Sequence, residues 1–247
     1  MNQNIRRKQS EIIELLFHNR IITEVNEYLQ EHPEISLVQL NDSQDNTVLH
    51  QLAFEGHLDL IRLFVKEAKK RLHQRQSSQR SLFEKDVHQE ILVWINQQNN
   101  EGFTALLYAC FNGHLDVIRY FVEEWSANDH LTNNTGLNPL HLAAQKNIVL
   151  TLLYFKDRID LNSVDAHEST PLHWASYMNS EQVAAYLLSE PRLSSLDARD
   201  SEGNTPLMMA VIYGNTRVVR RLLIAGADRS LANKEGKIPM DLSLIHI

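Results

Sequence analysis

The sequence contains one cysteine, Cys110, among 247 residues. An internal disulfide framework is excluded, and such usage fits a reducing compartment. Cys110 sits in TALLYACFNGH between apolar neighbours, a setting for a small buried hydrophobe and not for a reactive thiol. A basic surplus is missing too. Lys and Arg number 24 against 31 Asp and Glu, a formal net charge of −7, which argues against nucleic acid as the main partner. No window approaches the roughly 18 apolar residues of a membrane-spanning helix. The opening MNQNIRRKQSEIIELL lacks the apolar run and small-residue cleavage site of a signal peptide. The expected location is cytoplasmic, or the cytosolic face of a membrane if this is part of a longer chain.

Catalytic signatures are equally scarce. There is no G-x-G-x-x-G, G-x-x-x-x-G-K-[ST], H-E-x-x-H, G-x-S-x-G or paired C-x-x-C. Adjacent acids such as Glu123 and Glu124 fall on solvated helix faces. No catalytic residue, metal or cofactor is expected, and the chain is not expected to be an enzyme.

What is present is a phrase that returns. DNTVLHQLAFEGHLDLIRLFV starts at Asp45, EGFTALLYACFNGHLDVIRYFV at Glu101 and TGLNPLHLAAQKNIVLTLLYF at Thr135. ESTPLHWASYMNSEQVAAYLL follows from Glu168, EGNTPLMMAVIYGNTRVVRRLL from Glu202 and the partial copy EGKIPMDLSLIHI from Glu235. The head of T-P-L-H falls at Thr47, Thr104, Asn138, Thr170, Thr205 and Ile238, with intervals of 57, 34, 32, 35 and 33 residues. A period near 33 headed by T-P-L-H is the ankyrin signature, a β-turn followed by two helices. The predicted fold is therefore an all-α ankyrin-repeat solenoid of stacked helix-turn-helix units with β-turn tips, about six repeats and a partial seventh.

Each position in the frame has a physical task. The head Thr can cap the first helix with its side-chain oxygen. Pro139, Pro171 and Pro206 follow where a missing N–H costs nothing. Ala143, Ala144, Ala175 and Ala210 are small enough for neighbouring helices to approach closely. Gly56, Gly113 and Gly214 end first helices in a left-handed conformation. His50, His141 and His173 read as structural, each tying its own turn to the next by hydrogen bonds. Stacking would translate these rings along the array, so they would not converge on a metal. His57 and His114 read the same way. Trp174 takes a leucine place and is expected inside the stack, where its indole N–H would want a partner.

Two regions depart from the frame. Residues 1–44 read as a degenerate N-terminal capping repeat, and 45–247 as the repeats proper. An extra stretch of about 24 residues, a helical and basic insertion at about 66–97, lies between the first two heads. It predicts helices over about 58–75 and 81–97, joined by a turn at Ser77–Gln79. Lys66, Lys69, Lys70, Arg71, Arg75 and Arg80 make its first half basic. This is either a solvated helix pair or an anionic contact through Lys69, Lys70, Arg71 and Arg75. The ending DLSLIHI is apolar, which predicts a longer polypeptide or a covered end.

The fold offers turn tips and first helices for binding another protein. The positions that the frame leaves free are Phe54 and Glu55, Phe103, Phe111 and Asn112, Leu137, Gln145 and Lys146. They continue with Tyr177 and Met178, then Ile212 and Tyr213. Aromatic residues are prominent, as in binding hot spots, although rings here could also pack between repeats.

The stretch from Asn138 to Leu242 is similar to the ankyrin portion of DHHC-type protein S-acyltransferases (palmitoyltransferases). TPLHWA at Thr170 to Ala175, LYF at Leu153 to Phe155, and the closing LLIAGADR and GKIPMDL carry that resemblance. It implies a cytosolic substrate-recruiting arm of an enzyme whose Cys-rich catalytic segment lies between transmembrane helices farther along. This chain has one Cys and no Asp-His-His-Cys string, so the resemblance implies recruitment and not catalysis.

Overall fold

The computed structural model of the chain describes residues 22–78 and 87–242. Among these residues the regular elements are helical, and extended pairing is confined to one isolated bridge between Asn41 and Thr47. The start of the expected capping repeat, Gln79 and Arg80, and the apolar tail from Leu244 lie outside the described residues.

Contacts divide the chain into two compact units. The first holds the described residues up to Ala109 together with Asp116–Asn128. Its helices are α1 (Ile22–Glu31), α2 (Val48–Glu55), α3 (Leu58–Ser78) and α4 (Val87–Ile95), followed by the start of α5 (Ala105–Asn112) and by α6 (Leu115–Arg119). Helix α3 packs against α1, α2 and α4. It buries Ile61, Phe64, Val65, Ala68 and Leu72, the i, i+3, i+4 stripe of an amphipathic helix. Helix α3 runs on through Ser77 to Ser78, past the end expected near residue 75, and the rest of the turn expected at Ser77–Gln79 lies outside the described residues. Ser and Gln are not helix breakers, and no Gly or Pro stands there to stop it.

The second unit joins Cys110–Leu115 to Asp129 and the residues beyond. It holds the helix pairs α7 (Pro139–Lys146) with α8 (Val149–Phe155), α9 (Pro171–Tyr177) with α10 (Glu181–Ser189), and α11 (Pro206–Ile212) with α12 (Thr216–Ile224), then α13 (Pro239–Leu242). First helices stack in the order α7, α9, α11, α13, and second helices in the order α8, α10, α12. Ala143, Ala144, Ala175 and Ala210 are fully buried, which permits that approach.

A helix begins on the residue after each of the six heads. Thr104, Thr170 and Thr205 accept the amides of Leu107, His173 and Met208 at 3.2, 3.4 and 3.3 Å. Asn138 caps α7 by accepting from Leu140 and His141. These bonds satisfy amides that a helix start leaves without partners.

Candidate protein-binding surface

The turn tips are built on a residue that the repeat phrase begins too late to include. Five residues before each head stands Asp42, Asn99, Asn133, Asp165, Asp200 or Asn233. The side-chain oxygen of each accepts two backbone amides, two and four residues on, at 2.8–3.1 Å. Short Asx side chains support such turns by imitating backbone. Within the second unit successive tips are also joined by backbone. Ala166 donates to Thr135, Ser201 to His167 and Lys234 to Glu202 at 2.8–3.0 Å. The approach is close enough that a Cβ on Gly136 would meet the Ala166 nitrogen at 2.7 Å, and Gly136 has φ +78°. Glu168 holds the corresponding left-handed place in the next tip at φ 59°, and Asp45 does so in the first unit.

The histidines bond as their spacing suggested. Nδ1 of His50, His141 and His173 accepts the amide of its own head residue at 3.0, 3.3 and 3.1 Å. That bond places the ring proton on Nε2. From there His50 donates to the Phe103 carbonyl at 2.9 Å, His141 to Ser169 and His173 to Asn204 at 3.0 Å. Burial lowers all three pKa values, that of His141 to about 4. Neutral rings with both nitrogens committed are staples between turns. Among the described residues no group of His, Cys, Asp and Glu is arranged to hold a metal ion. Burial also pushes the Cys110 thiol well up, which keeps it protonated.

The positions left free by the repeat fall into two patches, one per unit. In the first unit Phe103 stacks on Tyr108 at 4.8 Å, and Phe54, 43% exposed, meets the same ring edge-on at 5.6 Å. Glu55 beside it accepts from Gln51. In the second unit Trp174 and Tyr177 lie one turn apart on α9, with ring centroids 5.8 Å apart. Tyr177 meets Tyr213 edge-on at 4.3 Å. Asn215 locks this arrangement by donating to the carbonyls of Ser176 and Tyr177 at 2.7 and 3.0 Å. Tyr213 is 52% exposed and Met178 45%, while Ile212 and Gln145 are half-buried. The Lys146 ammonium, on an exposed side chain, lies over the half-buried Phe111 ring at 4.3 Å, next to half-buried Asn112. The aromatic residues therefore pack between repeats and face solvent at once.

Three expectations need correction. Leu137 is only 6% exposed, since its backbone closes the tip with Asn133 and its side chain turns inward, so it offers nothing to a partner. Arg71 is 7% exposed and is no part of a basic surface. Its guanidinium donates to the carbonyl of Leu29 in the last turn of α1 and to those of His32 and Ile35 just beyond it, and pairs with Glu67 at 2.9 Å. Trp174 is half-buried instead of lying in the stack core, because its indole N–H reaches out to the Asp165 carboxylate at 2.8 Å. The Asx residue of each tip is what sequence reasoning missed, and its constant offset from the head was the available signal. For Arg71 no local signal existed, as its partners lie about forty residues away.

Comparison with known proteins agrees with this architecture. The family model for ankyrin repeats (3 copies) matches residues 79–165 and 147–233. Palmitoyltransferase AKR1 of Lachancea kluyveri is 29% identical over 172 residues, 67% of this chain and 22% of that protein. Palmitoyltransferase ZDHHC13 of Mus musculus is 25% identical over 186 residues, 61% of this chain and 30% of that protein. Leucine-rich repeat serine/threonine-protein kinase 1 of Caenorhabditis elegans is 29% identical over 163 residues, but only 7% of its length is covered. The chain thus spans less than a third of the curated relatives it matches here. No described helix is long and apolar enough to cross a membrane. With the repeat phrase, the six-fold tip and the stacked helix pairs all present, the chain belongs to the ankyrin-repeat family.

Proposed function

We propose that the chain is a non-enzymatic protein-binding module facing the cytosol, and that its partner seats on the patch of the second unit around Tyr177, Met178, Ile212 and Tyr213. Gln145, Lys146, Phe111 and Asn112 extend this patch. Phe54, Glu55 and Phe103 form a separate one in the first unit. The exposed Tyr213 and Met178 beside rings already locked by Asn215 carry the proposal. Preordered aromatic anchors lose little freedom on binding, and a few such residues dominate a typical interface.

The test is selection of displayed peptides against the intact chain. Met178→Ala with Tyr213→Ala should weaken the selected peptides by about tenfold or more, a loss typical of hot-spot truncation. Thermal unfolding should fall only modestly, since the variant gives up one edge-on ring contact and both side chains are about half exposed. Failure to enrich any peptide, or binding that survives both substitutions, overturns the proposal. Phe111 and Tyr177 serve less well, since both are half-buried and truncating them removes more packing.

A second reading is favoured by the palmitoyltransferases among the relatives. In it the module recruits substrate for such an enzyme within one longer polypeptide. Detection of the native product at much more than 28.5 kDa supports this reading, and a product of that mass overturns it.

A further inference from the structure

The exposed side of α3 is a feature that peptide binding does not use. Residues 58–78 carry six Lys and Arg but only two acids, Asp59 and Glu67, in a chain whose net charge is −7. At about 100° per residue, Arg62, Lys66, Lys69, Lys70 and His73 fall on one side of the helix, opposite the buried Phe64, Ala68 and Arg71. All five are exposed. Arg62 pairs with Glu124 at 3.1 Å and Lys70 lies 3.5 Å from Glu67. Lys66 and Lys69 make no ion pair among the described residues. Arg71, which the sequence alone would add to the surface, is withdrawn into the fold.

We propose that this stripe docks the protein on an anionic lipid surface. The unpaired cations of this stripe are lysines, compact point charges that suit a diffuse field; a defined phosphate or carboxylate is usually clasped by the arginine fork. No large apolar side chain is exposed between Leu58 and Arg75, so the contact is electrostatic and shallow, without insertion. The Debye length of about 8 Å at physiological salt makes the local charge of α3 decisive, because the acidic remainder of the chain is screened. Each lysine near such a surface contributes about 1 kcal/mol.

The intact chain is sedimented with phosphatidylcholine vesicles, with and without about a third phosphatidylserine. Binding should require phosphatidylserine and should disappear at about 0.5 M salt. Lys66→Gln with Lys69→Gln should lower the partition about thirtyfold, the effect of two such charges. Arg217→Gln with Arg220→Gln, the same charge change on α12, should leave it unchanged. Equal binding to both vesicles, no binding, or insensitivity to the lysine pair overturns the proposal. Binding to polyglutamate but not to vesicles overturns it in favour of an acidic protein partner. Both lysines are solvated, so unchanged thermal unfolding of the double variant confirms that any loss is not misfolding.

Discussion

Glu168 sits in a backbone conformation that suits glycine. Its φ of 59° is left-handed, where a side chain costs about 1–2 kcal/mol. The equivalent tip positions at 136 and 203 are glycine with φ near +78°. Glycine has its own entropic cost of about 0.5–1 kcal/mol, so Glu168→Gly should stabilise the chain by about 0.5–1 kcal/mol. Urea unfolding would show it as a higher midpoint at constant slope, and a lower midpoint would mean that the Glu168 side chain makes a compensating contact. The residue scale is also where the sequence was most legible. Head residue, proline, alanine and histidine each have a task that requires one side-chain type at one offset, so the pattern survives in the letters. Leu137 and Trp174 were misplaced because direction depends on the tip's hydrogen bonds, and Asp165 was not recognised as part of that tip.

Among elements, α1 and α3 are held together by one buried cation. Arg71 donates to the Leu29 carbonyl in the last turn of α1, where a helix leaves acceptors without partners and a negative dipole, and to the His32 and Ile35 carbonyls just beyond it. Arg71→Met preserves the apolar stem but strands the Leu29 and Ile35 carbonyls and leaves Glu67 with only Lys70 beside it. Unsatisfied buried polar groups cost about 1–3 kcal/mol each, so a loss of at least about 2 kcal/mol is expected by chemical denaturation. A change under about 0.5 kcal/mol would show that water replaces the guanidinium there. Helix boundaries were legible wherever a head marked the start. The insertion was less so: nothing in KKRLHQRQSSQ separates a charge that points outward from one that reaches forty residues back.

For the molecule as a whole, proton linkage distinguishes the two units. Folded His50, His141 and His173 have pKa values lowered by burial, so they stay neutral where the unfolded chain, with values near 6.5, takes up protons. Their stabilising contribution is complete above about pH 6.5 and is lost as the pH falls, down to about 4 for His141. Each contributes up to about 1.4 kcal/mol per pH unit within its window. The second unit holds two of these rings and the first holds one. Between about pH 6.5 and 5.5, where most carboxylates remain ionised, stability reported by Trp174 should fall more steeply than that reported by Trp94 and Trp125. Single-tryptophan variants unfolded in urea at several pH values would measure both slopes, and equal slopes would refute the assignment.

The histidine bonds have a further consequence, because they all run one way. His50, His141 and His173 each donate to a carbonyl of the following repeat, never of the preceding one. Such a stack has a grain. A cut that removes Asn204 and everything after it uncovers the Nε2–H of His173 to water, so the new end carries a titratable ring. A cut that removes His173 and everything before it leaves only a carbonyl, which newly admitted water can satisfy. Shortening the repeat array is therefore not symmetric between its two directions.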